Sequence, residues 1–231
     1  MRTLIIVSHP TLSDSHAQQF LRESLPDEGV RWHHLEHDYP DGQIDKDREQ
    51  ALLADYDRII FQFPLYWYSS PPLLKQWQDE VLTDGFAYGK HGSQLKGKEF
   101  GLVMTTGVNE REYQAGGREG FTISELTRPF QAIARKCEMV YLPSLLIARF
   151  DYLSDADRKE LLIRYRQYLT MSANPSLLNQ EEWFKLELET LGKFQQTDET
   201  KATIDLLIEQ MGNNRDHLDD LLFTLEELGE W

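Results

Sequence analysis

The sequence predicts an α/β protein: a five-stranded parallel sheet with helices on both faces, followed by an acidic helical extension. Two observations carry that prediction. Short apolar runs alternate with stretches of helical periodicity through residues 1–173, a pattern that closes into a parallel sheet through right-handed crossovers. Beyond that point the composition changes, because residues 174–231 hold 14 acidic and 4 basic side chains, a balance of −10. The first 173 residues carry 25 acidic and 20 basic, a balance of only −5. The boundary falls in the Ser-Ala-Asn-Pro-Ser stretch from Ser172 to Ser176.

Taken in order, Leu4 to Val7 is a continuous apolar run, as a strand covered on both faces requires. His16 to Leu25 is a helix with Ala17, Phe20 and Leu21 on one side, and Arg31 to Leu35 alternates as a second strand. Asp45 caps a helix that runs to Leu53, and Arg58 to Phe63 is the third strand. Pro71-Pro72 opens the next helix, since a first-turn proline lacks a donor that would go unused there. Leu73, Leu74, Trp77, Val81 and Leu82 then recur at helical spacing. Glu99 to Thr105 is the fourth strand, Ile123 to Lys136 a helix, Met139 to Leu142 the fifth strand and Asp155 to Leu169 the closing helix.

The extension carries three amphipathic signals. Phe184, Leu188 and Leu191 form one stripe. Ile204, Leu207, Ile208 and Met211 form a second, and Leu218, Leu221, Leu222 and Leu225 a third.

Several function classes are disfavoured at once. A net charge of −15 argues against a nucleic-acid partner, which needs a basic surface. The single cysteine, Cys137, is expected to be a buried thiol, and without a Cys/His cluster no metal site is expected. The apolar run at the start is too short for a signal peptide, and no stretch approaches the ~18 residues of a membrane span. The protein is expected to be cytoplasmic and not inserted in a membrane.

In an open parallel sheet, ligands bind beyond the carboxyl ends of the strands where strand order reverses. The loop after the first strand, His9 to His16, is rich in hydroxyl and imidazole groups and enters a helix N-terminus that suits a phosphate. An ordinary helix cap at Asp14 or Ser15 explains it as well. After the third strand, Pro64, Leu65, Tyr66, Trp67 and Tyr68 place aromatic bulk where a loop ought to be polar. That suits a flat heteroaromatic ring, or else a hydrophobic plug or dimer contact. After the fourth strand, Thr105, Thr106 and Gly107 permit close approach to a ring's polar edge, although a plain turn also uses glycine. The Walker phosphate loop and the Gly-x-Gly-x-x-Gly pattern are both missing.

Phe61 to Tyr68, continuing through Pro71-Pro72-Leu73-Leu74-Lys75-Gln76-Trp77, resembles the signature of flavodoxin-like NAD(P)H:quinone oxidoreductases. It equally resembles the flavoprotein ancillary subunits of glutathione-gated potassium efflux systems. His9-Pro10 with Ser15, Gly85 to Gly89, Lys96-Gly97-Lys98 and Thr105-Thr106-Gly107 extend the likeness over residues 1–170.

The resemblance implies strand order 2-1-3-4-5 and a bound flavin, FMN in preference to FAD. Its phosphate would lie at His9, Ser15 and Gln18, its ring against Pro64, Leu65, Tyr66 and Trp67, and its pyrimidine edge at Thr105, Thr106 and Gly107. Tyr113, six residues past that glycine, would stabilise charge on the reduced ring. NAD(P)H would be co-substrate and a quinone or similar electrophile the acceptor, in ping-pong order, within a homodimer. The alternatives are a regulatory subunit partnered with a membrane transporter, and a flavodoxin-type electron carrier. Two departures stand out: Val108 where the family often has a second glycine, and Glu119 where its animal members have histidine. His91 is left unassigned.

Overall fold

Leu4, Ile5, Ile6 and Val7 are shut away from solvent in the computed structural model of the chain, as the middle of a covered sheet demands. The structure describes residues 1–90, 92–173, 176–194 and 197–229. His91 and the boundary expected at residue 174 lie outside the described residues. Two compact units are present, Met1–Thr170 and Met171–Trp231.

In the first unit the strands are β1 (Thr3–Val7), β2 (Val30–His34), β3 (Arg58–Pro64), β4 (Glu99–Thr106), β5 (Val140–Tyr141) and β6 (Leu145–Ala148). They lie in the order β2-β1-β3-β4-β5, with β6 also paired to β4, and all pairings are parallel. The helices are α1 (His16–Glu23), α2 (Leu35–Asp38), α3 (Lys46–Ala54), α4 (Pro72–Val81), α5 (Ile123–Leu126), α6 (Arg128–Lys136) and α7 (Asp155–Thr170).

Successive strand residues point to opposite faces, and the two cores follow that alternation. Leu4, Ile6, Phe61, Phe63, Leu102 and Met104 pack with Leu53 of α3, Trp77 of α4 and Phe130 of α6. Ile5, Val7, Ile60 and Val103 pack with Leu21 of α1 and Leu161, Tyr165 and Leu169 of α7. Cys137 is buried, as expected.

Local chemistry explains the element ends. Asp45 accepts the Arg48 N–H at 3.0 Å as the cap of α3. Leu35, expected to end the second strand, instead opens the single turn α2. The helix expected from Ile123 to Lys136 is divided at Thr127, because Pro129 offers no N–H and its ring crowds the carbonyl four residues earlier. The fifth strand is likewise divided. Pro143 cannot donate to the ladder, so the pairing expected over Met139 to Leu142 shrinks to Val140–Tyr141 and resumes at Leu145–Ala148.

One buried polar cluster ties the first unit together. The Glu49 carboxylate, fully buried, accepts from Tyr39 Oη at 2.6 Å, from Trp77 Nε1 at 2.8 Å and pairs with His33 Nε2 at 2.9 Å. Burial alone would raise the Glu49 pKa; the bonds from His33, Tyr39 and Trp77 outweigh it and hold the pKa below the ordinary value.

The second unit holds α8 (Leu177–Phe194) and α9 (Asp198–Glu227), packed on one another. The second and third stripes of the extension therefore lie on one helix of 30 residues.

Candidate functional site

Because β1 is flanked by β2 on one side and β3 on the other, strand order reverses between β1 and β3. In open parallel sheets such a reversal is where ligands bind, beyond the carboxyl ends of the strands. The parallel register aligns Val7 with Gln62 and Pro64 with Thr105, so the loops after β1, β3 and β4 emerge on one edge.

The loop after β1 is built around hydrogen bonds. Ser15 caps α1, its hydroxyl accepting the Gln18 N–H at 3.3 Å, and the N–H groups of His16 and Ala17 have no acceptor within the helix. His9 Nδ1 accepts the Thr11 N–H at 3.2 Å, which puts the ring proton on Nε2 and makes that nitrogen a donor. Burial, against the opposing pull of Glu36, lowers the imidazole's pKa. Gln18 is placed differently from its neighbours. Its side chain is fully buried and its Oε1 accepts from Gln62 Nε2 at 2.6 Å, in a chain that continues from Tyr165 Oη to Gln62 Oε1 at 2.8 Å. The structure thus brings His9 and Ser15 to the loop, while the Gln18 side chain is buried, with its Oε1 held by Gln62 and its Nε2 without a hydrogen-bond partner among the described residues.

The loop after β3 is a two-residue reversal. Tyr66 and Ser69 exchange backbone hydrogen bonds, both 3.0 Å, around Trp67 and Tyr68. Those two residues have φ of 46° and 64°, the left-handed region that bulky side chains normally avoid. Trp67 is 93% exposed. Holding two aromatic rings in that conformation costs on the order of 1–3 kcal/mol each, a type of strain that gathers at ligand sites. Pro64 is buried as the last residue of β3, and the Leu65 N–H donates to the Thr105 carbonyl at 2.9 Å, joining this loop to the next.

After β4, Thr106 Oγ1 accepts the Val108 N–H at 3.2 Å and lies 3.1 Å from the Tyr113 hydroxyl. Tyr113 is buried, so its phenol is held at the foot of the loop. A Cβ added to Gly107 would meet nothing within 4 Å. The backbone there faces open space, the geometry a planar ring edge needs in order to approach main-chain donors. These residues fit a flavin's ring edge and phosphate.

Three further contacts were not legible as site features. Glu36 takes the Ser8 hydroxyl at 2.6 Å and the His9 N–H at 3.0 Å. Burial would raise its pKa, but bonds from His34, Ser8 and His9 lower it overall. Only the β1–β2 register, which sets His34 opposite Val7, brings it to this loop. Tyr68 Oη donates to Glu119 Oε2 at 3.0 Å, and that bond raises the phenol's pKa. Arg149, also left-handed at φ 50°, donates its N–H to the Thr106 carbonyl at 2.7 Å. Its position follows from the resumed strand β6, which had no separate signal.

A parallel sheet in this order, with the three loops gathered at its switch point, defines a flavodoxin-like protein. The sequence profile described as the flavodoxin-like fold matches residues 1–169, and the chain belongs to that family. It is 48% identical to the solved NADPH-quinone reductase of P. pentosaceus, with 74% of this chain and 98% of that one covered and a TM-score of 0.69. It is 38% identical to the general stress protein 14 of Treponema denticola, solved in complex with FMN, with 73% and 95% covered and a TM-score of 0.66. Over 177 residues it is 42% identical to the glutathione-regulated potassium-efflux system ancillary protein KefG of Cronobacter sakazakii, covering 75% of this chain and 94% of that relative.

Proposed function

We propose that this chain is an FMN-dependent NAD(P)H oxidoreductase that reduces quinone-like acceptors. The carrying observation is the strained aromatic turn at Trp67 and Tyr68, set beside an open Gly107 at the switch point of the sheet. The FMN complex of the Treponema protein and the quinone reductase of P. pentosaceus support the same reading.

In this reading His9 Nε2, the Ser15 hydroxyl and the first N–H groups of α1 hold the phosphate. Pro64, Leu65, Tyr66 and Trp67 cover one face of the ring. Thr105, Thr106 and Gly107 meet its pyrimidine edge, and the Tyr113 phenol donates toward charge that develops there. When bound, the flavin would supply the two-electron chemistry, with NAD(P)H as donor and the quinone-like acceptor used in turn, in ping-pong order. FAD is the less favoured form, since no residue here is recognisable as specific for adenine. The exposed Trp67, with a groove of about 700 Å³ between α4 and α6 next to Tyr68, supports a homodimer in which a second copy completes the substrate side.

The test is the absorption spectrum of the purified protein, followed by anaerobic addition of NADH and then NADPH. Flavin absorption that bleaches with a nicotinamide and returns with a quinone is the expected result. Absence of flavin after reconstitution with FMN and FAD overturns the reading.

The likeness to KefG favours one second reading, a flavoprotein that regulates a transporter. Among the described residues no helix is long and apolar enough to cross a membrane, so such a role would be that of a peripheral subunit. Flavin that bleaches without quinone turnover, together with co-purification of a transporter, would establish that alternative.

A further inference from the structure

Helix α9 carries a pattern that its own hairpin does not use. Ile204, Met211, Leu218 and Leu225 recur every seven residues, and Leu207, Asn214, Leu221 and Leu228 repeat three positions later. Apolar residues at alternating spacings of three and four, sustained from 204 to 228, are the heptad seam of a coiled coil, with the first set at a and the second at d.

The two sets have different fates. All four a residues are buried or half-buried. All four d residues are exposed, Leu207 at 49%, Leu221 at 52% and Leu228 at 67%. The partner helix is also too short. Glu181 pairs with Arg215, and a Cβ on Gly192 would stand 3.6 Å from Ile204, two contacts that share one antiparallel register. In that register Leu177, the first residue of α8, stands level with Asp219, so the turns from Leu221 onward run past its end.

The charges identify what covers the seam. Every acidic residue described after Ile204 lies away from it: Asp205, Asp219 and Glu226 at b, Asp220 and Glu227 at c, Glu209 and Asp216 at f. The flanking positions hold Gln210, His217 and Thr224 at g, and Ile208, Arg215 and Leu222 at e. A helix built to receive a basic partner would carry its carboxylates on those flanks. Here they are cleared from the flanks, so two identical seams can meet without carboxylate facing carboxylate.

We propose that the second unit associates with a second copy of itself, the d positions of two α9 helices closing a four-helix bundle. Leu177, Phe184 and Leu191, spaced by seven on the exposed side of α8, extend the apolar surface available to that bundle. Asn214 is the one polar residue in the seam, a position that fixes register at a cost in stability. This inference is independent of the flavin reading.

Asp216 is exposed and lies midway between 204 and 228, so parallel and antiparallel pairings both bring its two copies level. Cys137 is buried, so a cysteine introduced as Asp216→Cys in the full chain takes a spin label selectively. Dipolar spectroscopy is expected to give one narrow distance of roughly 20–40 Å, set by helix spacings of ~8–10 Å and the label tethers. In the added background Leu207→Glu/Leu221→Glu/Leu228→Glu that distance is lost while circular dichroism keeps its helical signal. Should that variant lose its helices, Asn214→Leu is the second arm and is expected to narrow the distance and raise the hairpin's melting midpoint. A broad or absent distance in the otherwise wild-type chain overturns the proposal, as does a distance that survives the glutamates, or an Asn214→Leu variant with no change. Protection of the seam that arises only on adding a different protein also overturns it.

Discussion

The first and second units solve the same problem of burial with very different completeness. In the first, every residue of β1 and β3 is buried, and both faces of the sheet are covered by helices. In the second, Trp183 and Ile204 are the buried apolar residues among those described, while 11 of the 19 exposed large hydrophobic residues of the described chain lie there. A sheet with a helical layer on each side leaves no apolar face uncovered. Two helices side by side cover one stripe each, and any second stripe stays in solvent. Apolar content alone therefore says little about a finished core; the number of layers decides it.

The most severe way to break the first unit is to remove the acceptor at its buried centre. Glu49→Ala leaves the His33, Tyr39 and Trp77 donors without their acceptor and is expected to cost about 3–5 kcal/mol in chemical denaturation. The pH dependence has a definite sign. Because the folded-state pKa of Glu49 lies below the ordinary 4.5, its contribution is present above that value and is lost as pH falls through the folded pKa. Glu49→Gln is expected to flatten this acid limb, seen as a smaller difference in unfolding midpoint between neutral buffer and buffer below pH 4.5.

A smaller effect tests whether the units melt separately. Ile204→Ala should cost the hairpin about 2 kcal/mol, read as an earlier loss of helical signal, with the main unfolding transition unmoved. If the main transition shifts with it, the two units form one cooperative system.

Within the first unit, the site is expected to trade stability for function. Trp67→Gly relieves a left-handed backbone and should raise stability by about 1 kcal/mol. In the proposed reading it also weakens flavin binding, followed by titration with FMN. The smallest expected change in stability is at Gly107. Since an added Cβ meets nothing, Gly107→Ala should leave the flavin-free protein within ~0.5 kcal/mol of the parent. FMN affinity should nevertheless fall, because the methyl occupies the space assigned to the ring edge. Unchanged affinity would move the pyrimidine edge elsewhere.

Most of the sheet was legible because its signals are local. The apolar runs at Leu4, Arg58 and Glu99 mark three central strands, and Asp45 and Pro72 mark helix starts through groups they supply or lack. The breaks in the periodic pattern also have local causes. Pro129 and Pro143 interrupt a helix and a strand whose flanking residues continue the pattern. Gly212, by contrast, leaves α9 continuous, since packing along α8 outweighs the ~1 kcal/mol that glycine costs in a helix. In the candidate site, His9, Ser15 and the aromatic loop could be singled out by residue type and by the strands they follow, and Tyr113 through the family resemblance alone. Glu36 and Arg149 could not. Each reaches the site through a neighbouring strand, and strand adjacency is not written in any short stretch of sequence.

The sequence by itself determined the alternation of strands and helices, the compositional break near residue 173 and the placement of unusual loops after particular strands. These rest on propensity, hydrophobic period and residue chemistry, all of which act over a few neighbouring positions. The tertiary structure alone decided which loops share an edge, that the Gln18 side chain belongs to the core, and that Trp67 and Tyr68 are strained. It also decided which half of the α9 seam is covered. Those outcomes depend on the register between distant segments, where residues far apart in the chain compete for the same buried space.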